Sequence, residues 1–87
     1  MGLAISQNAL STAAEKIISA RSVGRRYIVK NLHASDVVYV GTSDAVSSSN
    51  GYQLKANESL TLDNHNGEVW AIAGSNTPSV GIVEQFE

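Results

Sequence analysis

From Arg26 onward, apolar and polar positions alternate in short runs, each followed by a cluster of Gly, Asn, Ser or Asp. The runs are RYIVKN, VVYVG, DAVSS, YQL, SLTLD, VWAIA and SVGIVEQF, and LHASD, GTSD, SNG, KANE, NHNG and GSNTP fall between them. A period of two sends successive side chains to opposite faces of a strand. Short strands at such even spacing predict an all-β fold, a small antiparallel sandwich or barrel. Tyr27 and Val29 then share a face against Arg26, Ile28 and Lys30, and Val38 and Val40 oppose Val37 and Tyr39. In the last run Val80, Ile82 and Glu84 oppose Gly81, Val83 and Gln85. Residues 60–73, LTLDNHNGEVWAIA, carry the strongest hairpin pattern, with Leu60 and Leu62 inward and the turn at Asn66-Gly67. Asn50-Gly51 reads as a second tight turn because both residues tolerate positive φ. Thr77-Pro78 closes the final loop, since Pro cannot occupy a central strand.

The N-terminal third supports two readings. In residues 12–20, TAAEKIISA, Thr12 and Glu15 fit a capping box, and Leu10, Ala13, Ala14, Ile17 and Ile18 share a face at helical spacing. Against a helix, Ile17 and Ile18 are β-branched, and everything downstream has β character. The expectation is therefore an N-terminal arm or first strand over 1–25, with a short helix at 12–20 as the alternative, and a β-sandwich domain over 26–87.

Size sharpens this picture. A single domain of 87 residues buries only about 60–65% of its unfolded surface, so its own core gives modest stability. Domains this small gain stability from disulfides, metals or association. The chain has no Cys, and its two separated histidines, His33 and His65, are too few for a structural zinc and are expected in exposed turns. Self-association or docking on a larger assembly is what remains. Absence of Cys also suits a reducing compartment or a particle assembled inside a cell. MGLAISQNALST shows no signal-peptide pattern, and no apolar stretch is long enough to span a bilayer. Gly2 and Ser6 match a short myristoylation pattern, but an ordinary N-terminus is the simpler reading, and no membrane partner is expected.

Charge is unevenly spread. Residues 1–30 hold Lys16, Arg21, Arg25, Arg26 and Lys30 against Glu15, and residues 31–87 hold Lys55 against seven carboxylates, so +4 and −6 sum to the net −2. This asymmetry suits head-to-tail contact or a basic arm on an acidic neighbour. Nucleic-acid binding is disfavoured because no dense basic patch interleaved with aromatics is present.

No catalytic constellation emerges, and no catalytic, cofactor or metal residues are assigned. Asp63 to Glu68 contains Asx residues like part of a calcium loop, but it lacks the spaced carboxylates and the downstream bidentate Glu. The serines sit in no nucleophile elbow, and the glycines form no phosphate cradle. Spacing alone leaves a carboxylate pair open, but a chain this size offers little room for a cleft, and a small hydrolase is the least supported class. Tyr39, Tyr52 and Trp70 could stack on a sugar or partner, with Tyr52 expected nearest the surface.

These segments resemble a group of small β proteins of tailed bacteriophages. The resemblance rests on Arg26 to Asn31, Val38 to Gly41, Asn50 to Leu62, Val69 to Ala73 and Val80 to Glu84. It covers roughly two-thirds of the chain and leaves out the first 25 residues; each piece is also what generic hairpin chemistry produces. It implies a jelly-roll-like virion structural protein, a capsid decoration (cement) or head-fibre type, made in the host cytoplasm and bound at the capsid surface. It further implies a homotrimer contacting the major capsid protein or another virion protein. Arg21, Arg25 and Arg26 are the expected contacts of the basic arm. The alternative is a carbohydrate- or receptor-binding module of a phage tail or adhesin, using Tyr52 and Trp70.

Overall fold

The computed structural model describes residues 2–20, 24–74 and 77–86. Among them there is no helix, and eight strands form two four-stranded antiparallel sheets. The strands are β1 (Gly2–Ala9), β2 (Glu15–Ile18), β3 (Arg25–Asn31), β4 (Val38–Gly41), β5 (Tyr52–Leu54), β6 (Ser59–His65), β7 (Val69–Ala73) and β8 (Ser79–Phe86). The first sheet runs β1-β8-β3-β6 and the second β2-β7-β4-β5. Strands pair outermost with outermost: β1 with β8, β2 with β7, β3 with β6 and β4 with β5. The chain is thus one long antiparallel ribbon, doubled back at the β4–β5 tip and rolled until β3 meets β8 and β4 meets β7. That wrapping is a jelly roll. The smallest dimension is 16 Å, as expected of two facing sheets about 10 Å apart with their outer side chains.

The core lies between the inner faces that alternation assigns. Tyr27, Val29, Val80 and Ile82 of the first sheet meet Val38, Val40, Leu54, Val69 and Ala71 of the second, all buried. Leu60 and Leu62 pack against them from the edge. Leu10 is buried where the chain crosses between sheets, its N–H donating to the Pro78 carbonyl at 2.8 Å.

The helical alternative over 12–20 is replaced by β2, and a bulge explains the pattern that suggested it. Lys16 pairs with Trp70 but Ile18 pairs with Val69, so β2 carries one extra residue. The bulge lets consecutive residues both reach the core: Ile18 is buried and Ile17 packs beside it. A regular strand would have sent them to opposite faces.

Three further expectations are corrected. DAVSS is no strand: it forms the turns of the β4–β5 loop, with Val46 alone tucked inward. LTLDNHNGEVWAIA is no hairpin: β6 pairs with β3 in the first sheet and β7 with β2 and β4 in the second, so Asn66-Gly67 carries the chain from one sheet to the other. Gly51 does not have positive φ. A Cβ there would lie 2.7 Å from Tyr39 Cβ and 2.9 Å from the Ser47 carbonyl, so close approach requires the glycine. Asn50 holds the loop by side-chain bonds instead, accepting from Ser47 N–H at 2.7 Å and donating to the Ala45 carbonyl at 3.1 Å.

Candidate interaction surface

The outer face of the first sheet carries an apolar stripe. Ile5 lies opposite Val83, Val83 opposite Ile28, and Ile28 opposite Thr61, a row running across all four strands. Leu3 lies one row away and Leu32 just past the end of β3, within reach of Gly81. Leu3 is 62% exposed, Ile5 74% and Leu32 39%, while Ile28 and Val83 are half-buried. Arg26 and Lys30 flank the row on β3, both exposed, and Arg26 Nε meets Asp63 at 3.3 Å. Isolated exposed apolar residues are ordinary, whereas here they are contiguous on one face.

Among the described residues β1 is a free edge with a definite orientation. The Leu10 N–H bond to Pro78 continues the β1–β8 register. In antiparallel pairs, alternate residues bond to the neighbour, so Gly2, Ala4, Ser6 and Asn8 direct their backbone groups to β8. Leu3, Ile5, Gln7 and Ala9 direct theirs to the open edge. The Leu32 N–H bond to the Ser79 carbonyl at 3.0 Å fixes the complementary alternation on the other side of β8.

Beneath β1 a cleft of about 180 Å³ opens between β1 and β2, and Tyr27, Ile82 and Glu84 line its floor. Glu84 is 7% exposed. Its Oε2 accepts from Arg25 Nη1 at 2.6 Å and from the Tyr27 hydroxyl at 3.3 Å. His65 meets the Tyr27 ring edge-on at 6.2 Å. It ends β6 opposite Arg25 instead of lying in an exposed turn, and its Nε2 is buried without a hydrogen-bond partner among the described residues. A carboxylate held by a guanidinium and a phenol is a neutralised plug, suited to closing one end of a core.

At the opposite end of the same inner face, Asn31 is fully buried. Its Nδ2 donates to the Asp36 carbonyl at 2.8 Å and the Leu54 carbonyl at 3.0 Å, and its Oδ1 accepts from His33 N–H at 3.0 Å. His33 does lie in a turn and organises it: Nδ1 accepts from the Ser35 and Asp36 N–H groups at 3.1 and 2.9 Å.

The residues singled out from sequence are scattered. Arg21 lies outside the described residues. Arg25 turns inward to Glu84, and Arg26 turns outward to Asp63. Tyr52 is 59% exposed, as expected, and lines a cleft of about 420 Å³ at the β4–β5 tip. Tyr52 pairs with buried Val40 and Trp70 with Gly41, one position on, so alternation assigns the two aromatics to opposite faces of the second sheet. Trp70 Nε1 donates to Glu68 at 3.1 Å, and Lys16 meets Glu68 at 3.5 Å. The indole bond is the main reason the Glu68 carboxyl sits below its ordinary value, aided by Lys16 and opposed by desolvation. Leu3 and Ile5 escaped the sequence reading, although GLAISQNA alternates and lacks any charge. Among the described residues no group of three or more His, Cys, Asp or Glu side chains could hold a metal ion. No family model, curated protein or solved structure matches this chain.

Proposed function

We propose that this chain is a non-enzymatic assembly subunit, a virion structural protein of a tailed bacteriophage that cements the shell by binding the major capsid protein at the capsid surface. The observation that carries the assembly role is the stripe of Ile5, Val83 and Ile28 across the outer face of the first sheet, with Leu3 and Leu32 beside it. Covering one such side chain contributes about 1.5–3 kcal/mol. Several weakly docked copies on one shell reinforce one another through effective concentration. Arg26 and Lys30 on the flank suit an acidic rim on the partner. The phage context is supported by the resemblance of residues 26–84.

The test is co-sedimentation of the purified protein with shells assembled from the major capsid protein encoded with it. Saturable binding is expected, and Ile28→Glu, which puts a charge in the stripe, should weaken it at least about tenfold, the equivalent of about 1.4 kcal/mol. Tyr52→Ala, at the tip away from the stripe, should bind as wild type. Binding that Ile28→Glu leaves intact, or that Tyr52→Ala abolishes, would place the contact elsewhere.

A further inference from the structure

We infer that β1 is a pairing edge: two copies of this chain join by antiparallel β1–β1 contact, fusing their first sheets into one eight-stranded sheet with a two-fold axis at Ile5. The inference gives the assembly subunit above its self-contact, and it rests on that reading only for its purpose.

Among the described residues the four edges of the two sheets differ sharply. β6 carries Asp63 and a bulge, since Tyr27 pairs with Leu62 but Arg25 with His65, and Asn64 in the extra segment has φ of 51°. β2 carries Glu15, Lys16 and its own bulge. β5 is three residues long. Charge, bulges and shortness are the devices by which sheets avoid pairing edge to edge. β1 has none of them: its eight residues, GLAISQNA, contain no charge and no Pro, and all eight pair with β8 in unbroken register. Among the described residues only this edge is left ready to accept a strand.

The occupant that fits is a second β1. Both copies carry net negative charge, but no charged side chain of either β1 meets its mate. Antiparallel pairing brings identical patches together about a two-fold axis. Placing Ile5 opposite Ile5 of the second copy puts Leu3 opposite Gln7 of the second copy. Leu3, Ile5 and Gln7 then use their outward N–H and C=O groups, each opposed pair exchanging two bonds. The same register joins the two stripes into one row: Ile28, Val83 and Ile5, followed by Ile5, Val83 and Ile28 of the second copy. A contact that uses the same strand on both sides closes at two, so a dimer takes the place of the trimer that the resemblance implies.

Light scattering and sedimentation of the full chain over a dilution series, with no shell present, read the pairing directly. Wild type should reach twice its 9.2 kDa mass. Gln7→Pro deletes an N–H that faces the open edge and leaves the β8 ladder intact, and Ile5→Lys places a charge on the axis. Both should be monomers with wild-type circular dichroism. In wild type, the Ile5 and Gln7 amides should exchange more slowly as concentration rises, a readout that needs no variant. A monomeric or trimeric wild type, a dimer that persists in both variants, or amides that exchange alike at every concentration overturns the inference. A dimer that survives Gln7→Pro but is lost in Ser6→Pro, whose N–H serves β8, is an exchange of β1 between copies and also overturns it. Shell binding lost in Ile28→Glu while these mass measurements fail leaves the docking role standing; the reverse outcome removes docking and keeps the dimer.

Discussion

Asn31 and Glu84 close opposite ends of one inner face by different means. Asn31 is a neutral amide whose partners are the backbone groups of His33, Asp36 and Leu54. Its own backbone also bonds Glu58 and Asn57, so one residue ties β3 to β5 and to two loops. Glu84 is a buried carboxylate whose described partners, Arg25 and Tyr27, are side chains. Side-chain partners can be exchanged along with the group they serve, whereas backbone partners stay whatever replaces the group. The amide end is therefore the harder of the two to substitute, although it carries no charge.

The effects of substitution differ accordingly between the two ends. Asn31→Leu leaves two carbonyls and an N–H to find new partners at a cost of about 1–3 kcal/mol for each that stays buried. We expect a net loss of about 3 kcal/mol by chemical denaturation, the largest effect of the series; a loss below about 1 kcal/mol would erase the proposed asymmetry. Glu84→Gln keeps the shape but removes the charge facing Arg25. Because Arg25 keeps partial access to water, with its side chain 28% exposed, a smaller loss of about 2 kcal/mol is expected. The triple variant Arg25→Met, Tyr27→Phe, Glu84→Leu, which removes the guanidinium and the phenol together with the carboxylate they serve, should return to within about 1 kcal/mol of wild type, since well-packed apolar groups commonly replace buried ion pairs. A triple variant as weak as the sum of its singles would show that the charge end is no more replaceable than the amide end.

The smallest effect belongs to Glu68, an exposed carboxylate that also has side-chain partners. Its folded-state pKa is lowered below 4.5, chiefly by the Trp70 indole bond. A lowered carboxyl pKa contributes stability that is present above the unfolded value and lost as pH falls through the folded value. Trp70 fluorescence should therefore change in a step below pH 4.5, and Glu68→Gln should remove that step while barely moving stability at neutral pH.

Much of the fold is legible in residue order because alternation is a local property. The residues that share a face in β3, β4 and β8 follow from their period, Glu84 with Val80 and Ile82 among them, and burial shows that face to be the inward one. Tyr52 reads as exposed from its place directly after Asn50-Gly51. Ile17 and Ile18 fit a helical face as well as a strand because a bulge and a helix both bring adjacent residues to one side. Asn66-Gly67 looked like a hairpin turn because the same chemistry serves any sharp change of direction. Leu3 and Ile5 were invisible as a surface because an alternating apolar run reads as a core strand until its position in the sheet is known.

By itself the sequence determined the class of fold, the placement of most strands and the faces of the central ones, since each depends on residues a few positions apart. Only the tertiary structure decided which strands pair, and thereby that β1 is an edge and that its apolar side chains face outward. Partners in the ribbon lie as far apart as Gly2 and Phe86, and a local period carries no information about contacts closed across the whole chain.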